Sequence, residues 1–176
     1  MHLMHEVMKN YIKKYKTKES SPEHLGIHFS VISGIGGFIA IASVALLTHL
    51  TQSPFLMAPF GATCVLAFGV PNSPLAQPRN IIGGHFISTL IGLVCLILLG
   101  NEWYSLALGV ALAISIMQLT RTTHPPAGAD PIVVILGAKT LSFVFSPVLT
   151  GAVVITMIAL IFNNLSKARK YPTYWK

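Results

Sequence analysis

Four long stretches of the chain carry almost nothing but apolar side chains: Ile27 to Leu50, Ile81 to Gly100, Trp103 to Leu119 and Leu141 to Phe162. None of them contains Lys, Arg, Asp or Glu. A helix that crosses the hydrocarbon core needs about 20 mostly apolar residues, with about 17 as the lower limit. Each stretch is therefore predicted to span a membrane. Two further apolar stretches, Pro54 to Val70 ("PFLMAPFGATCVLAFGV") and Pro125 to Leu136 ("PPAGADPIVVIL"), are shorter and interrupted by Pro and Gly, and read as broken helices. Ahead of all of these, Leu3, Met4, Val7, Met8, Tyr11, Ile12 and Tyr15 recur at helical spacing, with Lys9, Lys13, Lys14 and Lys16 between them. That pattern predicts a basic amphipathic helix within Met1 to Lys18, lying on the membrane surface.

The two broken stretches resemble each other. A gapless shift of 67 residues brings Pro59 onto Pro126, Gly61 onto Gly128, Ala62 onto Ala129, Val65 onto Ile132, Gly84 onto Gly151 and Thr89 onto Thr156. The chain is read as a repeat of three segments, with halves of about 27–100 and 101–164. An odd number of crossings per unit inverts the second unit relative to the first, the arrangement in which broken helices of the two halves meet near the midplane. The expected architecture is an all-α integral membrane protein, with four full spans and two short broken helices making six crossings. A basic segment, 1–25, precedes the membrane domain, 26–165, and a basic tail, 166–176, follows it.

Composition agrees: 53% of residues are hydrophobic and 10% charged, which is not the balance of a soluble domain. The net charge of +7 does not point to nucleic acid, because nine of the twelve Lys and Arg lie before Ile27 or after Asn164, flanking the apolar part. With six crossings and cytoplasmic termini, Arg79, Arg121 and the tail's Lys167, Arg169 and Lys170 all lie inside, and Lys139 alone lies outside. Four crossings with two re-entrant loops would move Arg79 and Arg121 outside, so the positive-inside rule favours six. The first 25 residues lack the apolar core of a cleavable signal. Cys64 and Cys95 have neither CxxC spacing nor partner ligands and read as small core residues.

Candidate chemistry concentrates in "TRTTHPPAGADP", Thr120 to Pro131. Irregular backbone survives in hydrocarbon only inside protein or beside a water-filled cavity. Pro126 suits the first turn of a helix running to about Leu136, leaving the N–H groups of Ala127, Gly128, Ala129 and Asp130 free at its start. Pro59 does the same for Phe60, Gly61, Ala62 and Thr63. Two such starts facing each other, each with about half a positive charge and open donors, form an anion site. His124, Pro125 and Pro126 complete it, with His124 as hydrogen-bond donor or proton carrier. Asp130 fits poorly, since an ionised carboxylate repels an anion; it is expected to pair with Arg121 or Lys139, or to carry a proton. His85, beside Gly83 and Gly84, is a second candidate for that cavity. Arg79 and Asn80 in the loop Pro71 to His85, and Arg121, are candidates for steering anions toward it. His28 and His49 bracket the first span and mark its interfaces. No pattern for a nucleotide, metal-hydrolase or nucleophile site occurs, so neither enzymatic chemistry nor a cofactor or metal is expected.

The stretches "PFGAT" (Pro59 to Thr63), "SPLAQPRNIIGGH" (Ser73 to His85), "THPPAGADP" (Thr123 to Pro131) and "NNLSKARKYPTYW" (Asn163 to Trp175) together resemble the HPP family of small integral membrane proteins. The family is named for the triplet that stands here as His124, Pro125 and Pro126. The resemblance runs from about Gly26 onward and does not include the basic N-terminal helix. Members in chloroplasts and cyanobacteria are linked to nitrite transport, so the resemblance implies a nitrite transporter or channel. Members are usually described with four transmembrane helices; the difference from six lies in whether the two broken stretches are counted. The expected partners are a small inorganic anion, the lipid bilayer and further copies of the chain, because one chain this small does not shield a polar pathway alone. The expected location is a bacterial plasma membrane. The competing functions are a proton- or cation-coupled carrier centred on Asp130 and His124, and a membrane scaffold that transports nothing.

Overall fold

A computed structural model describes residues 2–175, with the side chains of residues 2 and 3 outside the description. The expectations for Met1, for the Leu3 side chain and for Lys176 lie outside the described residues. Among those residues there are seven α-helices and no strand. They are α1 (His2–Lys13), α2 (Ile27–Thr51), α3 (Ala58–Cys64), α4 (Pro78–Leu99), α5 (Trp103–Leu119), α6 (Asp130–Leu136) and α7 (Thr150–Asn164). At about 1.5 Å per residue, α2, α4 and the 21-residue unit Val144–Asn164 are each long enough for a hydrocarbon core of about 30 Å. The 17 residues of α5 sit at the lower limit.

The predicted elements are present, with boundaries shifted for local reasons. α4 begins at Pro78 rather than Ile81, because a proline suits a first turn. The last span is kinked at Ser146 (φ −135°, ψ 113°), next to Pro147, before α7 continues. The second broken stretch is not one helix from Pro126. Pro125–Ala129 forms a 3-10 turn, and α-helix starts only at Asp130. The cause is a third proline: Pro131 has no N–H to give the carbonyl four residues back, so α-geometry cannot run through it from Pro126. The first broken stretch forms α3 and continues as a wider π-type turn, Val65–Gly69. α1 ends at Lys13, short of Lys18, where lysines crowd each other at helical spacing. Its Met4, Val7, Met8, Tyr11 and Ile12 are all exposed.

The helices pack in two groups. α2, α3 and α7 form one, α4, α5 and α6 the other, and α4 also touches α7. Glycine sets the closest approaches. A Cβ on Gly92 of α4 would lie 2.7 Å from Pro131 Cα, and one on Gly109 of α5 would lie 3.0 Å from Pro131 Cβ, so Pro131 is held between two glycine-bearing helices. Such small-residue seams let membrane helices approach where apolar burial supplies no drive. The large apolar residues left outside, among them Phe38, Ile97, Leu119 and Ile161, suit a lipid-facing surface.

One end of the bundle is closed by polar contacts. Arg169, which is buried, donates to the Phe68 and Phe29 carbonyls, Asn163 Oδ1 and Ser33 Oγ at 2.9 to 3.1 Å, and lies over the Phe29 ring. Tyr171 donates to the Ala76 carbonyl (2.7 Å), and Tyr174 donates to the Pro74 carbonyl (2.7 Å). Burial raises the Tyr171 phenol above its ordinary range, which keeps that donor protonated. The tail is thereby tied to the loop that precedes α4. Two stability effects are expected in detergent. Gly92→Val forces α4 away from Pro131 and costs about 1–3 kcal/mol. Arg169→Gln leaves buried acceptors without donors and costs on the order of 2–3 kcal/mol. Denaturant unfolding followed by circular dichroism measures both, and wild-type midpoints would contradict the packing described.

Candidate functional site

Three segments bring polar side chains into the apolar interior. On α4, His85, Ser88 and Thr89 share one face at i, i+3 and i+4 spacing. On α3, Thr63 lies four residues after Pro59, the proline of that helix's first turn. On the other broken stretch, His124 immediately precedes the 3-10 turn and Asp130 opens α6. Gly84 permits the meeting, because a Cβ there would lie 2.7 Å from His124 Cβ and 3.0 Å from the Thr122 carbonyl oxygen.

These groups form one continuous chain. Asp130 Oδ2 lies 2.7 Å from His85 Nδ1. His85 Nε2 lies 2.8 Å from Thr63 Oγ1, which lies 2.9 Å from His124 Nε2. His124 Nδ1 lies 2.8 Å from the Leu75 carbonyl oxygen. Thr89 adds a donor to Asp130 Oδ2 at 3.3 Å, and Ser88 donates to the Ala127 carbonyl at 2.5 Å. Thr63, His85, His124 and Asp130 are all 0% exposed, which makes the chain an interior one rather than a surface cluster. The edge of the cluster is aromatic: Phe60 and His85 meet edge to face at 5.2 Å, and the two imidazoles stand 5.1 Å apart. Two buried oxygens, Asp130 Oδ1 and Thr156 Oγ1, have no partner among the described residues.

Several expectations change. Asp130 pairs with neither Arg121 nor Lys139. Arg121 is exposed just past the end of α5 in the left-handed region (φ 58°), and the Lys139 ammonium lies over the Phe143 ring at 5.3 Å. His85, one helix away, is the partner. The amides expected to be open are used: those of Gly61, Ala62 and Thr63 lie within α3, and those of Gly128 and Ala129 within the 3-10 turn. Phe60 N–H donates to the Met57 carbonyl and Ala127 N–H to the His124 carbonyl, both at 3.0 Å, and Asp130 N–H donates to the Ala127 carbonyl. Each reaches a carbonyl three residues back because both starts are tight turns. Between the two starts lies an open groove of about 530 Å³, lined by Ala58, Pro59, Ala62, Val65, Leu66, Pro125, Pro126 and Ala129, and its walls are largely apolar. Gly61 and Gly128 have open space where a Cβ would stand.

Arg79 and Asn80 lie at the closed end. Arg79 is exposed and donates to the Thr120 carbonyl at 3.0 Å. Asn80 is buried and donates to the Thr123 carbonyl at 2.9 Å, and its Oδ1 lies 2.8 Å from the Tyr174 hydroxyl, whose one proton it shares with the Pro74 carbonyl. His28 and His49 are exposed at the two ends of α2, and Cys64 and Cys95 are free and buried. Among the described residues, no three His, Cys, Asp or Glu lie close enough together to hold a metal ion. The residues that sequence reasoning missed are the Thr63 hydroxyl, Ser88, Thr89 and the Leu75 carbonyl. The spacing of His85, Ser88 and Thr89 was visible as one helical face, whereas nothing in the sequence pointed to Leu75.

Comparison with known proteins gives the same picture at coarser grain. Residues 22–172 match the family described as HPP, transmembrane region. Two transmembrane proteins of Dictyostelium discoideum are similar: one is 36% identical over 94% of this chain, the other 37% identical over 88%. The chain spans 57% of the length of each. No solved structure matches. An apolar all-helical bundle, a His124-Pro125-Pro126 triplet whose histidine is buried and a family match over nearly its whole length lead to one assignment: the chain belongs to the HPP transmembrane family.

Proposed function

We propose that the chain is a proton-coupled transporter of a small monovalent anion, with nitrite as the substrate suggested by the family resemblance. The observation that carries this reading is the buried chain Asp130–His85–Thr63–His124. An ionisable group in the middle of a bilayer costs about 2.5–3.5 kcal/mol on insertion scales and is kept where it works on ions or protons. A proton that travels with the anion cancels its charge and lowers the cost of moving it through a low dielectric. The His85 partnership also removes the objection to Asp130, whose charge faces an imidazole rather than a bound anion.

Six crossings belong to this reading. The tail hydrogen-bonds to Pro74, Ala76 and Asn80, and His124 to Leu75, so the loop after the first broken segment, the start of the second and the C-terminus share one side. Four crossings with re-entrant loops would put the tail on the opposite side from the other two. The basic residues favour that shared side as cytoplasmic. The inverted repeat has support of the same kind. Gly84 of the first half abuts His124 of the second, and Gly151 of the second abuts Phe60 of the first. Assembly with further copies is part of the proposal, since so small a bundle shields little on its own.

The substrate site is assigned to the junction of the broken helices around Gly61–Thr63 and Gly128–Ala129, with His124 as its polar neighbour. A second reading, a proton or cation carrier without an anion, is favoured by Asp130 Oδ1, a buried oxygen without a hydrogen-bond donor among the described residues. Purified protein in liposomes separates the two. Nitrite uptake is expected to exceed that of nitrate, formate and chloride, to rise with an inward proton gradient, and to fall at least tenfold in Asp130→Asn. Proton or cation flux without any anion flux would select the second reading, and no flux at all would leave a scaffold. Gly128→Val has open space for its side chain and is expected to fold and to slow nitrite uptake. A folded variant as fast as wild type would remove the half-helix junction from the pathway.

A further inference from the structure

We propose that the Thr63 hydroxyl relays a proton between His85 and His124, so that the two histidines share one exchangeable proton; this rests on the transport reading above. Counting donors and acceptors leads to it. A hydroxyl has one proton to give and two lone pairs to receive. Thr63 Oγ1 has three neighbours: His85 Nε2 at 2.8 Å, His124 Nε2 at 2.9 Å and the Pro59 carbonyl oxygen at 3.1 Å. The outer nitrogens are already committed. His124 Nδ1 faces the Leu75 carbonyl, which only accepts, so that nitrogen carries a proton. His85 Nδ1 faces Asp130 Oδ2, which as a carboxylate also only accepts.

Two neutral imidazoles would then aim two lone pairs at a hydroxyl with a single proton, and one contact would be repulsive. The geometry is satisfied when one ring is protonated on both nitrogens. Its Nε2–H donates to Thr63 Oγ1, and the Thr63 O–H donates to the other ring. The positive ring balances the Asp130 charge, so the cluster is neutral as a whole. With Asp130 ionised two arrangements meet the condition, with the charge on His85 or on His124; a third of the same proton count moves the His85 Nδ1 proton onto Asp130 and leaves both rings neutral. The first two interconvert without loss or gain of protons: the Nε2–H bond of His85 breaks as an O–H bond forms at Thr63, and the original O–H bond breaks as an Nε2–H bond forms at His124. Nothing is oxidised or reduced. A second proton fits as well, with both rings donating to Oγ1 and the hydroxyl turned to the Pro59 carbonyl. The cluster then carries one net positive charge, the charge that a monovalent anion would balance.

The relay joins two different ends of the cluster. His124 reaches the Leu75 carbonyl on the loop tied down by the tail, whereas His85, 5.1 Å away ring to ring, reaches the Asp130 carboxylate. Among the described residues, the other buried titratable or charged side chains are Cys64, Cys95, Tyr171 and Arg169. Arg169 and Tyr171 are engaged with the tail's own contacts, and neither is bonded to this cluster.

The test uses full-length protein in liposomes with an internal pH dye, and nitrite as the probe. Thr63→Ser keeps the hydroxyl and is expected to hold proton movement within about threefold of wild type. Thr63→Val removes it and is expected to lower proton movement at least tenfold. Proton movement in Thr63→Val equal to that of wild type, with nitrite still carried, overturns the relay and leaves the transport reading standing. Nitrite moved by wild type without protons, or no flux at all, counts instead against the transport reading. A second measurement depends neither on transport nor on the variants folding. Nitrogen NMR of 15N-histidine-labelled wild type is expected to show proton exchange shared between the His85 and His124 rings. A His124 ring that stays neutral at every pH at which the protein is folded overturns the relay.

Discussion

A carboxylate surrounded by apolar helices has to find a donor, and in this bundle Asp130 finds it in the imidazole of His85. Most of the interior follows from that contact. The two residues sit 45 positions apart on different helices, so α4 and the second broken segment have to approach closely. They do so through Gly84 against His124 and Gly92 against Pro131. His85 is thereby turned so that its other nitrogen meets Thr63, and Thr63 in turn meets His124. Both broken segments are joined through this one helix. The small residues of α4 and the polar ones alongside them have a single purpose: the glycines bring backbones together, and the hydroxyls and imidazoles satisfy what would otherwise be unpaired in hydrocarbon.

The closed end of the bundle solves a related problem. A helix pair interrupted by irregular loops exposes carbonyls that lipid cannot satisfy. Arg169 gathers those of Phe68 and Phe29, and Tyr171, Tyr174 and Asn80 take those of Ala76, Pro74 and Thr123. The same loop supplies Leu75 to His124. Two hydrogen bonds therefore link tail, loop and buried histidine, Tyr174 to the Pro74 carbonyl and His124 to the Leu75 carbonyl. The groove between the broken segments has the opposite character, with prolines, alanines and aliphatic side chains along its walls. Polarity in this protein lies behind the broken helices rather than between their tips.

Much of the architecture was legible along the chain. Four long apolar runs, two broken ones and the amphipathic start were all found as helices, because period and length alone decide which segments satisfy their own backbone in lipid. Local chemistry also accounts for most shifted boundaries, as with Pro78 at the start of α4 and Pro131 splitting the last broken segment. His124, Asp130 and His85 were legible as candidates, since ionisable residues among apolar ones stand out.

Their roles were not. The sequence by itself determined that Asp130 needs a partner at depth; it did not determine which one, because Arg121, Lys139 and His85 were all chemically suitable. The tertiary structure decided for His85, which α4 brings to 2.7 Å from the carboxylate, and it sent Arg121 out at the end of α5 and Lys139 onto an aromatic ring. It likewise exchanged the value of Thr63 from a backbone amide to a side-chain hydroxyl placed between two imidazoles. Hydrophobic periodicity is a property of one helix and can be read along it. A hydrogen bond between helices depends on their relative depth and rotation, which the packing of Gly84, Gly92 and Pro131 sets and no single segment contains.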